Sequence, residues 1–288
     1  MRDFLNTETV PVMQEKILSV AAVLLLSVAM GAAQADEMKV GGTGATHGVL
    51  LRLSEAFGAA HPGDRVEVVP GLGSGGGILA VSEGVLQLSI SGRDLKAEEK
   101  AKGLASAPFL DTPFVFVTSH PQPQKLTKAE VVAIYDGGLA KWPDDKPIKP
   151  ILRPKSDSVT PFLIANFEGM QQAMDKLRQR PDVPVAATDS DNVEAAEKTA
   201  NSFAGATLVQ ILTEKPRLRT IMLDGMEASV EAMEKGSYGL KMRLYAVMKS
   251  EPTPIAQRFA KFLHSAQAQQ LIRESGGVLL SAPAAPVR

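Results

Sequence analysis

The stretch MKVGGTGATHGVLLRLSEAFGAAHPGDRVEVVPGLGSGGGILAVSEGVLQLSISGR, residues 38–93, decides the fold class. Met38–Val40 starts a strand, and Val49, Leu50, Leu53, Ala56 and Phe57 then recur at helical spacing. His61-Pro62-Gly63-Asp64 reads as a turn, and Val66–Val69 alternates as a strand. A glycine loop from Gly71 to Gly77 leads into a short helix marked by Ile78, Leu79, Val81 and Val85. Leu86–Ser91 is a further strand, ending at Gly92-Arg93. Repeated βα alternation of this kind predicts an α/β protein, a sheet flanked by helices.

The rest of the chain extends the pattern. Thr112–Thr118 is a buried type of strand, and Thr127 with Glu130 forms the capping box of a helix that ends near Asp136-Gly137-Gly138. Ile148–Leu152 and Leu244–Met248 read as strands. Residues 162–178 and 255–274 each read as one helix, the latter amphipathic through Phe259, Phe262 and Leu263. The last fifteen residues are small and Pro-rich and read as a loose tail.

Composition excludes several classes. The 288 residues carry 31 basic and 32 acidic side chains, without the basic surplus of a nucleic-acid binder. Zero Cys removes disulfides, thiol catalysis and cysteine metal sites. His47, His61, His120 and His264 lie too far apart for paired metal-ligand spacing, so neither a metal nor another cofactor is expected. No serine sits in a G-x-S-x-G elbow. Gly71-Leu72-Gly73-Ser74-Gly75-Gly76 fits G-x-G-x-x-G after a strand, which raises a dinucleotide enzyme as a rival. Gly84 interrupts the next helix after about two turns, too early for the usual crossover.

Residues 1–35 read as a signal peptide. Ile17–Met30 is an uncharged apolar run behind Lys16, and Ala33-Gln34-Ala35 fits the small-x-small cleavage rule. Met13 is an alternative start, because residues 1–12 add two acids and one base to what should be a basic leader. Cleavage before Asp36 leaves a chain balanced in charge and destined for export to the periplasm.

Three hydroxyl-bearing turns follow strands: Thr43–Thr46, Gly73–Gly77 and Arg153–Ser158. Glycine lets backbone N–H groups approach a ligand, and a helix N-terminus favours an oxyanion. Arg93 and Arg153 add guanidinium forks matched to such an anion.

Four stretches resemble the substrate-binding proteins of phosphate ABC transporters, the PstS-like group: GGTGAT with GLGSGGGI, LSISGRDLKAEE, LTKAEVVAIYDGGLAKW followed by PILRPKSDS, and residues 243–278. The resemblance implies a type II periplasmic binding protein: two α/β lobes, each a mixed sheet flanked by helices, joined by two crossover segments. Residues 36–112 and 249–288 would form lobe 1 and residues 113–248 lobe 2, with hinge strands near 113–118 and 243–248. It implies capture of an inorganic oxyanion, phosphate first, by a monomer that delivers it to an ABC permease in the inner membrane, with no chemistry on the ligand. A sensor feeding the anion signal to a membrane receptor is the alternative. Carried over, Thr43, Gly44 and Ala45 offer the first loop's donors and Ser74 and Gly75 the second's, and Ser91 and Arg93 of the Leu88–Glu99 segment join them as candidate anion-binding residues. Arg153, Ser156, Asp157 and Ser158 would clamp from the other lobe. The chain departs from the family in two places. Arg93 stands where well-known members carry an acid, and Ser156-Asp157-Ser158 replaces Ser-Gly-Thr. Asp157 is then expected either to accept a ligand proton or to cap the following helix.

Overall fold

A computed structural model describes residues 36–280 apart from Pro123. The leader reading for residues 1–35 and most of the tail therefore lie outside the described residues. The chain runs β1 (Glu37–Gly42), a 3-10 turn (Gly44–Thr46), α1 (His47–Ala60), β2 (Arg65–Val68), α2 (Gly73–Ser82), β3 (Leu88–Ser91), α3 (Ala97–Lys100) and β4 (Leu104–Thr118). It continues through β5 (Lys125–Leu126), α4 (Lys128–Asp136), β6 (Lys149–Pro150), α5 (Val159–Asn166), α6 (Met170–Leu177), α7 (Asp189–Lys198), β7 (Ser202–Thr207), α8 (Leu208–Glu214), β8 (Arg219–Leu223) and α9 (Val230–Glu234). It closes with β9 (Lys241–Lys249), α10 (Pro254–Leu263), α11 (Ala266–Glu274) and β10 (Val278–Leu279).

The strands form a mixed sheet ordered β2-β1-β3-β9-β4-β7-β6. β1 is parallel to both β2 and β3, as βαβ units require. β9 is antiparallel to β3 and to the first part of β4, from Leu104 to Pro113. Past Pro113, β4 leaves β9 and runs on between β7 and β8, antiparallel to both. The fifteen-residue β4 thus serves a first half-sheet with β1, β2, β3 and β9, and a second with β7 and β8. Asp111, 3% exposed, pins this crossing. It accepts from Arg243 Nε at 2.9 Å and Nη2 at 3.0 Å, and pairs with Lys241 at 3.1 Å.

Each half has its own aromatic cluster. In the first, Phe57 packs edge-on against Phe259 at 5.1 Å. In the second, Phe116 stacks on Phe203 at 5.1 Å and meets Phe114 edge-on. Burying each such ring contributes about 1.5–3 kcal/mol.

Several sequence expectations shift. The helix expected over 162–178 is two, α5 and α6, because Gly169 at φ 77° restarts the chain in the left-handed region. The helix expected over 255–274 is also two. Ser265 caps α11 by accepting from Ala268 N–H, in place of continuing α10. The glycine loop is shorter than read, since Gly73–Gly77 already form the first turns of α2. The strand read over 112–118 is the second half of a longer one. The loose-tail reading fails at Val278–Leu279, which pair antiparallel with Asp111 and Leu110. The capping box stands as read: Thr127 Oγ1 accepts from Glu130 N–H, while Glu130 accepts from Thr127 N–H at 2.7 Å.

Candidate functional site

The sheet brings the first and third predicted loops together. β1 ends at Gly42; the next residue, Thr43, donates its N–H to Ile90 O in β3 at 2.8 Å, and the 3-10 turn carries Gly44 and Ala45 into α1. From the second half, Leu152 bridges to Val185, and this places Arg153 beside the start of α7.

Arg153 is 5% exposed and binds on every side of its fork. Nη1 donates to Ala186 O at 3.0 Å. Nη2 donates to Asp157 Oδ2 at 2.7 Å and Nε to Asp157 Oδ1 at 3.3 Å. Nη2 also reaches Asp189 Oδ1 at 3.4 Å. The other oxygen of Asp189 accepts from Thr43 Oγ1 at 2.5 Å and from Ala45 N–H at 3.2 Å. One carboxylate therefore joins the two halves through the donors that the sequence offered to a ligand. Gly44 is required at this contact, because a Cβ there would lie 2.9 Å from Ser190 Oγ and 3.1 Å from Asp189 Cβ.

A second contact between the halves lies at the hydroxyls. Ser74, in the first turn of α2, accepts from Gly92 N–H at 2.9 Å, and its Oγ lies 3.4 Å from Ser158 Oγ. Both serines are buried. Gly92 admits Ser158: a Cβ at position 92 would sit 2.4 Å from Ser158 Oγ.

Asp157 caps the helix that follows it and also holds Arg153. Its Oδ1 accepts from Val159 N–H at 2.9 Å at the start of α5, and its two oxygens hold the Arg153 fork. Burial pushes its carboxyl above the ordinary range, Arg153 opposes this, and Asp189 adds to it.

Four predicted residues stand apart from this convergence. Arg93 binds Glu99 through both Nη atoms, at 2.8 and 2.7 Å. This holds the Glu99 carboxyl down to about 2. Glu99 also accepts from Lys96 N–H at 2.8 Å and so fixes α3. Arg93 is thus engaged as a structural ion pair. Ser91 closes the same turn, donating to Arg93 O at 2.8 Å. Ser156 and Gly75 are both exposed.

Asp189 was missed in the sequence. Thr188-Asp189-Ser190-Asp191 carries only a capping signal, and Thr188 with Asp191 does form a capping box.

Glu214 at the end of α8 adds a titrating group. Burial pushes its carboxyl up to about 7, Gln210 opposes this by donating at 3.1 Å, and Asp189 and Glu197 add to the rise. Between its ordinary 4.5 and about 7 the folded state keeps a proton that the unfolded state releases. Stability should therefore fall as pH rises through that window. Urea midpoints across the window should fall less in Glu214→Gln than in the wild type. Equal slopes would contradict the assignment.

One guanidinium faces two carboxylates here, so a fully charged dianion cannot simply be added. An entering anion must displace a carboxylate or find one protonated.

Comparison with known proteins agrees with this architecture. The PBP superfamily domain matches residues 27–267. No protein of curated function matches the chain. Among solved structures, a substrate-binding protein assigned to a phosphate ABC transporter of Clostridium perfringens, with bound phosphate, superposes with TM-score 0.71. It is 21% identical, over 85% of this chain and all of that one. An ABC-type phosphate transport receptor from Vibrio cholerae gives 0.58 at 19% identity, over 84% and 100% of the two chains. The periplasmic molybdate-binding protein of Azotobacter vinelandii gives 0.61 at 17%, over 85% and 100%. The mixed sheet with flanking helices is the α/β type II architecture that the sequence resemblance implied. A match over residues 27–267, together with this fold, establishes that the chain belongs to the PBP superfamily.

Proposed function

We propose that this protein captures a tetrahedral oxyanion, phosphate first, in the periplasm and delivers it to an ABC permease, with no chemistry done on the ligand. The observation that carries the reading is the meeting of Arg153, Thr43 Oγ1 and Ala45 N–H on the oxygens of one carboxylate, across the two halves. Donors from separate elements that converge on anionic oxygens form an oxyanion cradle. Ser74 and Ser158, the latter next in sequence to the Asp157 that holds Arg153, supply neutral donors. The phosphate bound in one structurally similar protein, and a second that is a molybdate-binding protein, support a tetrahedral ligand.

The two halves act as lobes in this reading; the division expected from sequence, residues 36–112 with 249–288 against residues 113–248, shifts so that β9 (Lys241–Lys249), which pairs with β3 and the first part of β4, goes with the first lobe. It is supported by the departure of β4 from β9 after Pro113 and by the pairing of β10 with the first part of β4. Export through the residue 1–35 leader and action as a monomer complete the proposal. Calorimetry with phosphate, arsenate, sulfate and molybdate tests it. Saturable heat at one site per chain is expected with at least one of them, phosphate strongest. Heats equal to dilution for all four would reject it.

A further inference from the structure

We propose that Asp189 is an internal competitor for the anion, a carboxylate that holds the ligand's donors until a tetrahedral oxyanion displaces it. The inference rests on the oxyanion reading above and concerns what sets affinity and selectivity at that same site.

Asp189 is the first residue of α7, after the Thr188 cap. Its side chain is not needed for that cap, because Thr188 and Asp191 supply the capping box themselves. Its two oxygens instead take Thr43 Oγ1, Ala45 N–H and Arg153 Nη2. Arg153 already has a bidentate carboxylate in Asp157. Asp189 is therefore a second anion on a guanidinium that is neutralised without it, which leaves it the more readily displaced of the two. The charged and titratable groups around it are Arg153, Asp157 and Glu214, and it raises the carboxyls of the last two.

A carboxylate has two oxygens. Those of Asp189 bind the Thr43–Ala45 loop and Arg153, and the Ser74–Ser158 pair is left to itself at 3.4 Å. A tetrahedral anion has four oxygens and can engage the loop, the guanidinium and the serine hydroxyls together. A competitor of this kind rejects planar two-oxygen anions, which offer nothing that Asp189 does not. It admits four-oxygen anions, which gain the hydroxyl donors as well. It also lowers affinity for every anion below what the donors alone would give.

The test is calorimetric titration of wild type, Asp189→Asn and Asp189→Ala with orthophosphate at constant salt and pH, with folding checked by circular dichroism. Asp189→Asn keeps the shape and removes the charge, and should bind orthophosphate about ten- to a hundredfold tighter. In Asp189→Ala, acetate should compete with orthophosphate, because it can take the place of the missing carboxylate. In the wild type acetate should not compete. A merely structural Asp189 predicts neither effect. Orthophosphate binding unchanged or weaker in Asp189→Asn, with the wild type binding normally, overturns the competitor and leaves the oxyanion reading intact. Absence of binding in all three proteins overturns both.

Discussion

Arg153→Met is expected to reduce anion binding below detection and to cost about 3–5 kcal/mol of stability. Methionine matches much of the volume and has no donors. The loss follows from what the fork now neutralises. Asp157 and Asp189 both face it from sites of low exposure, with side chains 10% and 12% exposed. Removing the guanidinium leaves two carboxylates near each other without a counter-charge, and orphans Ala186 O as well. Breaking a buried pair costs more than the pair contributes, because the remaining charge stays desolvated. Adding Asp157→Asn should therefore restore part of the stability while leaving binding lost. Urea unfolding of the single and double variants checks this. No recovery in the double variant would show that the stranded carboxylate is not the cause.

The second large effect is expected at Gly42. It lies at φ 116°, and a Cβ there would sit 2.1 Å from Ile90 O and 2.5 Å from Ser89 Oγ. The first clash is with backbone of the neighbouring strand and cannot be relieved by a rotamer change. Backbone strain and overpacking each cost about 1–3 kcal/mol, so Gly42→Ala should lose about 3 kcal/mol or more. Gly77 faces the same spot from α2, its Cβ position 2.6 Å from Gly42 Cα and 2.2 Å from Ser89 Oγ, and should be similarly intolerant. Gly75, two residues earlier in the same helix, has nothing within 4 Å. Gly75→Ala in α2 should be neutral or stabilising by up to about 1 kcal/mol. Equal losses at Gly42, Gly77 and Gly75 in thermal unfolding would contradict close packing as the reason for the glycines.

That contrast shows what the sequence could convey. The glycine run announced a tight strand-to-helix passage, but not which glycine meets a neighbouring backbone and which meets solvent. Gly77 packs against β1 and β3, elements earlier and later in the chain. The alternating βα pattern and the Thr127–Glu130 box were legible because their causes are local. The breaks at Gly169 and Ser265 were not, since apolar spacing runs on through each of them. At the site, Arg153 and its own-turn partner Asp157 lie four residues apart and could be read together. Arg93 looked equivalent, and nothing in its turn revealed that Glu99, six residues on, binds both its Nη atoms. Asp189 meets Thr43 across 146 residues. Local sequence offers such an aspartate only as a cap, and the sheet topology alone brings it to the donors.

The central claim is that donors from the two halves hold a tetrahedral oxyanion around Arg153. Calorimetry of the wild type and Arg153→Met against orthophosphate, at fixed pH and ionic strength, tests it most directly. The account predicts a saturable one-to-one isotherm in the wild type and only dilution heat in the variant. An isotherm of unchanged affinity in Arg153→Met, or none in a folded wild type with any tetrahedral oxyanion, would contradict it.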